Sequence, residues 1–361
     1  MMVLTGSYFL MYSLFVAVGM IGVRRHVAKE RTYADDASDF SLNDITVVIP
    51  FRNEEQRIQG LLASIQYSES LPHEFLFVDD SSDDASVTLI SNSLKGISFQ
   101  VLQSKGIGKK MAIQSGVSSA KTNYILTFDA DVQFAPDYFT QLNRLKPLDM
   151  HILPVRMHSK SWKNLFEMDV YMVNSLNLIA NGFFRPITAS GANLLFRKST
   201  YEAVHSLSHH QHIASGDDQF LLSDFNQHNK SIALHTTAKL SVTTAVPQSL
   251  NEFISQRLRW IQKTPHVKDP LAMKMGVIQV MMTCLFLGIM LVSICQLNWK
   301  MTVIVVIFKT LLDLLLVFTY FKNSKKSRLL SLLPIYEILF PFYTVLLAFL
   351  SLFYTPKWKG R

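Results

Sequence analysis

Cysteine is nearly missing from this chain of 361 residues: there are two, Cys284 and Cys295. Both lie in one apolar run of helical length, where they stand about 16 Å apart and cannot bridge. No disulfide framework exists, which suits a domain in a reducing compartment. The first strand is not followed by Gly-x-Gly-x-x-Gly, so a nicotinamide- or flavin-binding Rossmann reading has little support. The stretch Lys105-Gly106-Ile107-Gly108-Lys109-Lys110 has Gln at 103, where a P-loop needs glycine, and no Ser or Thr after Lys109. It is therefore no P-loop. Charge is also scarce in places, and no charged residue occurs between Val3 and Val23.

That uncharged stretch of about 20 residues is long enough to cross a bilayer as a helix. Arg24, Arg25, Lys29 and Arg31 follow it. A cleavable signal would carry its positive charge before the apolar core and small residues after it, and neither is found. The positive-inside rule puts the amino terminus outside and the chain after Arg24 in the cytoplasm. Three more apolar stretches follow, Met275 to Gln296, Met301 to Phe321 and Leu329 to Tyr354. The last contains Pro334, Glu337 and Pro341, so it is read as a span or as a re-entrant or broken segment. The tail Lys357-Trp358-Lys359-Gly360-Arg361 would then lie outside, against the charge rule. Lys309 and Asp313, four apart within the second stretch, form an internal ion pair or a polar path for a substrate; the pair is the simpler reading. The net charge of +8 clusters beside these stretches. It points to topology and anionic lipid, and to no nucleic-acid partner. The expected organisation is an anchor over 1–23, a cytoplasmic domain over 24–270 and a membrane region over 271–361.

Between the anchors, after a linker from Thr32 to Asn43, strand and helix patterns alternate. Strands are expected at Ile45–Ile49, Glu74–Val78, Ser98–Leu102 and Tyr124–Phe128. Helices are expected at Glu54–Gln66, Ala85–Leu94 and Lys109–Ala120. Such alternation argues for a mostly parallel α/β sheet, whose ligands collect at the carboxyl ends of the strands. Those ends carry Arg52-Asn53-Glu54, then Asp79-Asp80-Ser81-Ser82-Asp83-Asp84, then Asp129-Ala130-Asp131. Alternation sends Asp129 and Asp131 to one side, where two carboxylates can hold a divalent cation. The bland counterpart is an Asp-rich turn that caps the next helix, a role expected of Asp83 or Asp84.

Taken in order, Ile49-Pro50-Phe51-Arg52-Asn53-Glu54-Glu55, Val78 to Asp84, Gly108-Lys109-Lys110-Met111-Ala112, Asp129-Ala130-Asp131, Gly191-Ala192-Asn193, Gly216-Asp217-Asp218 and Gln256-x-x-Arg259-Trp260 resemble the membrane-bound family 2 glycosyltransferases. The similarity runs from about Ile45 to Trp260. It implies a GT-A fold, Rossmann-like, with one amino-terminal and about three carboxy-terminal transmembrane helices. It also implies a nucleoside-diphosphate sugar as donor and Mg²⁺ or Mn²⁺ as cofactor. The family pattern puts the metal on Asp131 with Asp129 assisting, and the donor base or ribose on Asp80. Lys109 faces the ribose-diphosphate, and Asp79, Arg52, Glu54 and Asp129 complete the donor side. Asp218 is the implied base, with Asp217 standing where the family usually has Glu. A single displacement with one base inverts the anomeric centre.

On the acceptor side the resemblance implies Gly191, Asn193, Gln256, Arg259 and Trp260. The last three share about one turn of an amphipathic helix, Leu250 to Gln262, where Arg259 can bond a phosphate twice and Trp260 can stack. The bland alternative is an interfacial tryptophan and a snorkelling arginine. Trp162 to Ala180 has helical apolar spacing and either lies on the membrane or packs in a core. His205, His209, His210 and His212 lack ligand spacing and read as solvated loop histidines. The expectation is an inverting glycosyltransferase at the cytoplasmic face of the cell inner membrane, acting on a lipid or membrane-proximal glycan, with a homo-oligomer left open as its assembly. The alternatives are a processive polysaccharide synthase subunit, or a non-catalytic flippase or scaffold with a degenerate nucleotide domain.

Overall fold

The computed structural model describes residues 2–33, 40–159, 161–204, 216–263, 266–267 and 269–354. The four histidines from His205 to His212, part of the linker and the basic tail lie outside the described residues. The chain begins with α1 (Met2–Glu30), β1 (Ile45–Phe51), α2 (Gln59–Gln66), β2 (Glu74–Asp79), α3 (Ser86–Ser93), β3 (Phe99–Gln103), α4 (Lys109–Ser119) and β4 (Tyr124–Phe128). It continues with β5 (Gln133–Phe134), α5 (Tyr138–Leu142), β6 (Met150–Ile152), β7 (Val155–His158), α6 (Asn164–Phe183) and β8 (Asn193–Arg197). Then come α7 (Lys198–Val204), α8 (Asp217–Gln227), β9 (Ile232–Leu234), β10 (Val242–Ala245) and α9 (Leu250–Lys263). The last three helices are α10 (Pro270–Cys295), α11 (Trp299–Asn323) and α12 (Leu333–Ser351).

Contacts gather these elements into two compact units built from interleaved segments. One takes the described residues of Glu30–His158 and Thr188–Val246, the other those of Met1–Lys29, Ser159–Ile187 and Pro247–Pro356. This division cuts the chain differently from the three consecutive segments expected, because α6 and α9 group with the apolar helices.

The first unit is a seven-stranded sheet in the order β3-β2-β1-β4-β8-β6-β9. β8 runs antiparallel to both of its neighbours, and the other strands run parallel to one another. The expected parallel strands are therefore present. β1, β2 and β4 are buried along their whole length, as two-sided cover requires. Phe51, Phe75, Phe77, Phe128, Tyr138 and Phe139 anchor the core between the sheet and α2, α3 and α5. Because β1, β2 and β4 run the same way, their carboxyl ends share one rim. A small second sheet, β5-β10-β7, lies beside the turn after β4. The helix expected from Glu54 is α2, which begins at Gln59; before it a tight turn has the Glu54 carbonyl accepting the amides of Arg57 and Ile58.

Among the described residues, the second unit contains four helices long and apolar enough to cross a membrane, one near the amino terminus and three towards the other end. The last is not broken at its inner proline: α12 runs continuously through Pro341. Its polar residues are paired inside the unit. Lys309 donates to Asp313 Oδ2 at 2.6 Å and to Glu337, and Tyr12 donates to Asp313 Oδ1 at 2.7 Å. The internal ion pair is thus a knot joining α1, α11 and α12. Of the two readings for 162–180, packing in a core fits: α6 buries Met168, Tyr171 and Leu178 and contacts α10, α11 and α12.

Candidate active site

The rim of the sheet unit is stitched together by its own acidic turns. Asn53, at φ 51° after β1, donates its amide to Ser82 Oγ, and its Oδ1 accepts the Asp83 amide at 2.9 Å. Glu54 and Glu55 donate their amides to Ser86 Oγ and Asp84 Oδ2. Asp84 also accepts from the Ser86 amide at 3.0 Å. The residue at the N-cap of α3 is Ala85, with no side-chain cap, so Asp84 closes the turn before the helix and is not the cap expected of Asp83 or Asp84. Slight burial acts to raise its carboxyl, but hydrogen bonds from Ser86 and the backbone outweigh it and hold the group below the usual carboxylate range. Asp79 is engaged locally as well, accepting from the Ser82 amide at 2.9 Å and its hydroxyl at 2.6 Å. Glu54 is buried against Arg57 at 2.9 Å, while Arg52 stands half-buried at the end of β1.

Asp80 differs from these. It is 1% exposed, and its Oδ1 accepts the Gly108 amide at 2.9 Å, while Oδ2 is buried with no hydrogen-bond partner among the described residues. A buried carboxylate oxygen left without a donor is costly unless something else supplies one. Gly108 stands at φ 99°, a left-handed conformation that glycine alone adopts freely, and begins α4. That turn delivers Lys109, whose Nζ donates to Asp129 Oδ1 at 2.5 Å. Burial acts to lower this ammonium, but Asp129, then Asp217 and Asp218, hold it well above the ordinary lysine value.

Asp217 and Asp218 open α8, and Gly216 before them stands at φ 94°. Gly191 approaches so closely that a Cβ there would lie 3.2 Å from Asp217 Oδ2 and 3.7 Å from Lys109 Nζ. Its amide donates to Asp218 Oδ2 at 3.2 Å, and the Gln219 amide donates to Oδ1 at 2.8 Å. Lys109, Asp129, Asp217, Asp218 and Gly191, brought from four separate places in the sequence, therefore converge. A small cavity behind them is lined by Thr127, Leu194, Tyr201 and Leu221. Tyr201 was not singled out from the sequence; burial, then the field of Asp217, push its phenol up.

Asp131 accepts from Thr244 Oγ1 at 3.0 Å, across the β5–β10 pairing that holds the turn. Thr244 could not have been picked out beforehand, since only strand pairing brings it there. Asp129 and Asp131 are both partly exposed, and no third His, Cys, Asp or Glu joins them in a metal-holding group among the described residues. Two hard carboxylates suit Mg²⁺ or Mn²⁺ when substrate phosphates fill other positions. Asn193 is fully buried: its Nδ2 donates to the Pro154 and Leu240 carbonyls, and its Oδ1 accepts from Tyr138. All of its groups are engaged inside the fold, which sets it apart from the acceptor role expected of it.

Gln256, Arg259 and Trp260 belong to the helical unit, on α9. Arg259 is half-buried and makes no hydrogen bond or ion pair with any described residue. Its neighbour Arg257, which no motif singled out, is the buried one. It donates to Asp169 Oδ2 at 2.6 Å and to Gln256 Oε1 at 2.9 Å. The available signal was Asp169 itself, an acid in the apolar run of α6.

A parallel-rich sheet with acidic strand ends, flanked by a small second sheet, is the GT-A arrangement. The fold resembles that of the mannosyltransferase PcManGT from Pyrobaculum calidifontis, solved in complex with GDP-Man and Mn²⁺. The TM-score is 0.59 at 15% identity, over 93% of this chain and 97% of that one. Residues 46–204 match the family model described as glycosyl transferase family 2. A 4,4'-diaponeurosporenoate glycosyltransferase of Staphylococcus aureus is 35% identical over 114 residues, 31% of this chain and 28% of that protein. An undecaprenyl-phosphate 4-deoxy-4-formamido-L-arabinose transferase of Aeromonas hydrophila is 33% identical over 106 residues, 27% of this chain and 32% of that protein. The matched part thus spans less than a third of either relative.

Proposed function

We propose that this chain is a membrane-anchored, inverting glycosyltransferase that moves a sugar from a nucleoside-diphosphate sugar to a lipid or membrane-proximal glycan. The convergence of Lys109, Asp129, Asp217 and Asp218 beside Gly191 carries the reading, because transfer needs a cation-binding and a proton-accepting group around one reacting centre. A divalent cation held by Asp131 and Asp129 would neutralise the charge that develops on the leaving diphosphate. Asp80 presents its unpartnered Oδ2 to an N–H or O–H of the donor base or ribose. Lys109 stays protonated and turns its ammonium toward phosphate oxygens. Asp218, oriented by the Gly191 amide, takes the proton of an acceptor hydroxyl as its oxygen attacks the anomeric carbon and the nucleoside diphosphate leaves. An ionised phosphate oxygen would attack without giving up a proton. Asp79 and Asp84 shape the rim and do not touch the donor.

An apolar acceptor suits the four long apolar helices, and one relative is named for undecaprenyl phosphate. Arg24, Arg25, Lys29 and Arg31, which follow the uncharged stretch, support a cytoplasmic domain by the positive-inside rule, where nucleotide sugars are available. The deciding experiment incubates membranes containing the protein with a panel of labelled nucleotide sugars and takes intact masses of the extracted lipids and glycans. A hexose- or aminohexose-sized increment is expected with the wild type and not with Asp131→Ala. Donor consumption without any labelled lipid or glycan would overturn the acceptor class, and no consumption of any donor would overturn the reading itself.

A further inference from the structure

The basic residue of the α9 motif that is built into the fold is Arg257. Its side chain is 5% exposed and paired with Asp169, itself 4% exposed. Asp169 also accepts from the Tyr336 hydroxyl at 3.1 Å, so the pair is braced from α6 and α12. The same guanidinium lies 4.2 Å over the Trp260 ring and 4.6 Å over that of Phe253. Its Nη1 donates to Gln256 Oε1, which settles the amide orientation: the oxygen faces Arg257 and the Nε2 donors are turned away from it. That Nε2 makes no hydrogen bond with a described residue. One buried cation therefore touches both Gln256 and Trp260, while the Arg259 side chain has no partner among the described residues.

We propose that Arg257 is the positioning residue of the acceptor face of α9. It fixes the plane of Trp260 for stacking and presents Gln256 as a hydrogen-bond donor to an oxygen-rich group, a sugar hydroxyl or a phosphate. Arg259 is left to meet the anion. This rests on the reading of α9 as the acceptor side. A flat ring and a planar fork in contact restrict each other far more than a lysine would, so the two arginines of this helix are not interchangeable.

The test uses the full chain in nanodiscs. Arg257→Met alone would strand the buried Asp169 charge, so the informative variant is Arg257→Met with Asp169→Leu, which removes both charges together. It should melt like the wild type, while the acceptor KM rises or kcat falls by about ten-fold, the scale of a lost cation–π and hydrogen-bond contact. Hydrolysis of the donor by water should stay unchanged. In a background carrying Trp162→Phe, Trp299→Phe and Trp358→Phe, the Trp260 emission should shift in the same variant. Adding Trp260→Ala to it should cost little more, because Arg257 acts through that ring. Wild-type KM, kcat and emission in the paired variant, beside a defective Trp260→Ala, would overturn the positioning role alone. Normal transfer by Trp260→Ala would remove the acceptor reading of α9, and this proposal with it. Should the paired variant not assemble, Arg257→Lys decides, since it keeps the charge beside Asp169 but loses the fork. A raised acceptor KM supports the role and an unchanged one overturns it.

Discussion

Asp129 and Asp131 stand two residues apart, yet one meets an ammonium and the other a threonine hydroxyl. Among the described residues Asp129 is paired with a charge and Asp131 is not, which suits Asp131 to be the stronger cation ligand. Asp131→Ala is expected to abolish metal-dependent nucleotide binding in calorimetry, and retained binding would move the cation elsewhere. Asp218→Asn should keep donor binding while transfer falls by a factor on the order of 10² or more, the usual loss of a general base. Brisk transfer by that variant would transfer the role to Asp217. His151 gives a pH test away from the site. Its Nε2 meets the Lys146 carbonyl at 3.0 Å and its Nδ1 meets His235 at 3.1 Å; burial first, then His235, push its pKa down to about 3. The unfolded chain therefore binds a proton below about pH 6.5 that the folded chain refuses. The resulting stability is full above that pH and is lost as pH falls toward 3, at a slope of about 1.4 kcal/mol per unit. Thermal melts of His151→Gln in detergent should show a shallower acid dependence than the wild type. An equal slope would mean that His151 is not the group responsible.

At the scale of elements, two helices start at glycines in left-handed conformations, and both deliver site residues. Gly108 begins α4 with Lys109, and Gly216 begins α8 with Asp217 and Asp218. The sequence motifs were legible because such turns are local. In the helical unit the decisive contact is between α1 and α6. A Cβ on Gly182 would come within 1.9 Å of the Gly22 carbonyl oxygen, while Lys29 donates to the Asn181 carbonyl at 2.7 Å nearby. Backbone meets backbone there, and neither helix can yield by a rotamer change. Gly182→Ala is expected to destabilise the protein by about 1–3 kcal/mol or more, as overpacking does. A melting temperature equal to wild type would show that the two helices do not touch so closely.

For the molecule as a whole, the orientation in the bilayer is the property most open to test. Replacing Cys284 and Cys295 by alanine leaves a cysteine-free chain, since the sequence has no others. In that background, Gln296→Cys, in the turn after α10, should react with an impermeant maleimide applied to intact cells. Ser118→Cys, exposed on α4, should react only after permeabilisation. The reverse pattern would sink the cytoplasmic placement and with it the use of cytoplasmic nucleotide sugars.

Alternation of apolar residues and uninterrupted apolar runs are local properties, so the parallel strands, their acidic ends and the four long apolar helices could be read from the sequence alone. Tertiary structure decided what lies far apart along the chain. Thr244 reaches Asp131 across 113 residues, Arg257 reaches Asp169 across 88, and Glu337 joins Lys309 across 28. Asn193, which a motif marked for ligand contact, is engaged by Tyr138, Pro154 and Leu240. A motif states which side chains are present; burial and the direction of each hydrogen bond decide which of them remains available. Those depend on strand pairing and helix packing, and so only the folded chain could separate Arg257 from Arg259.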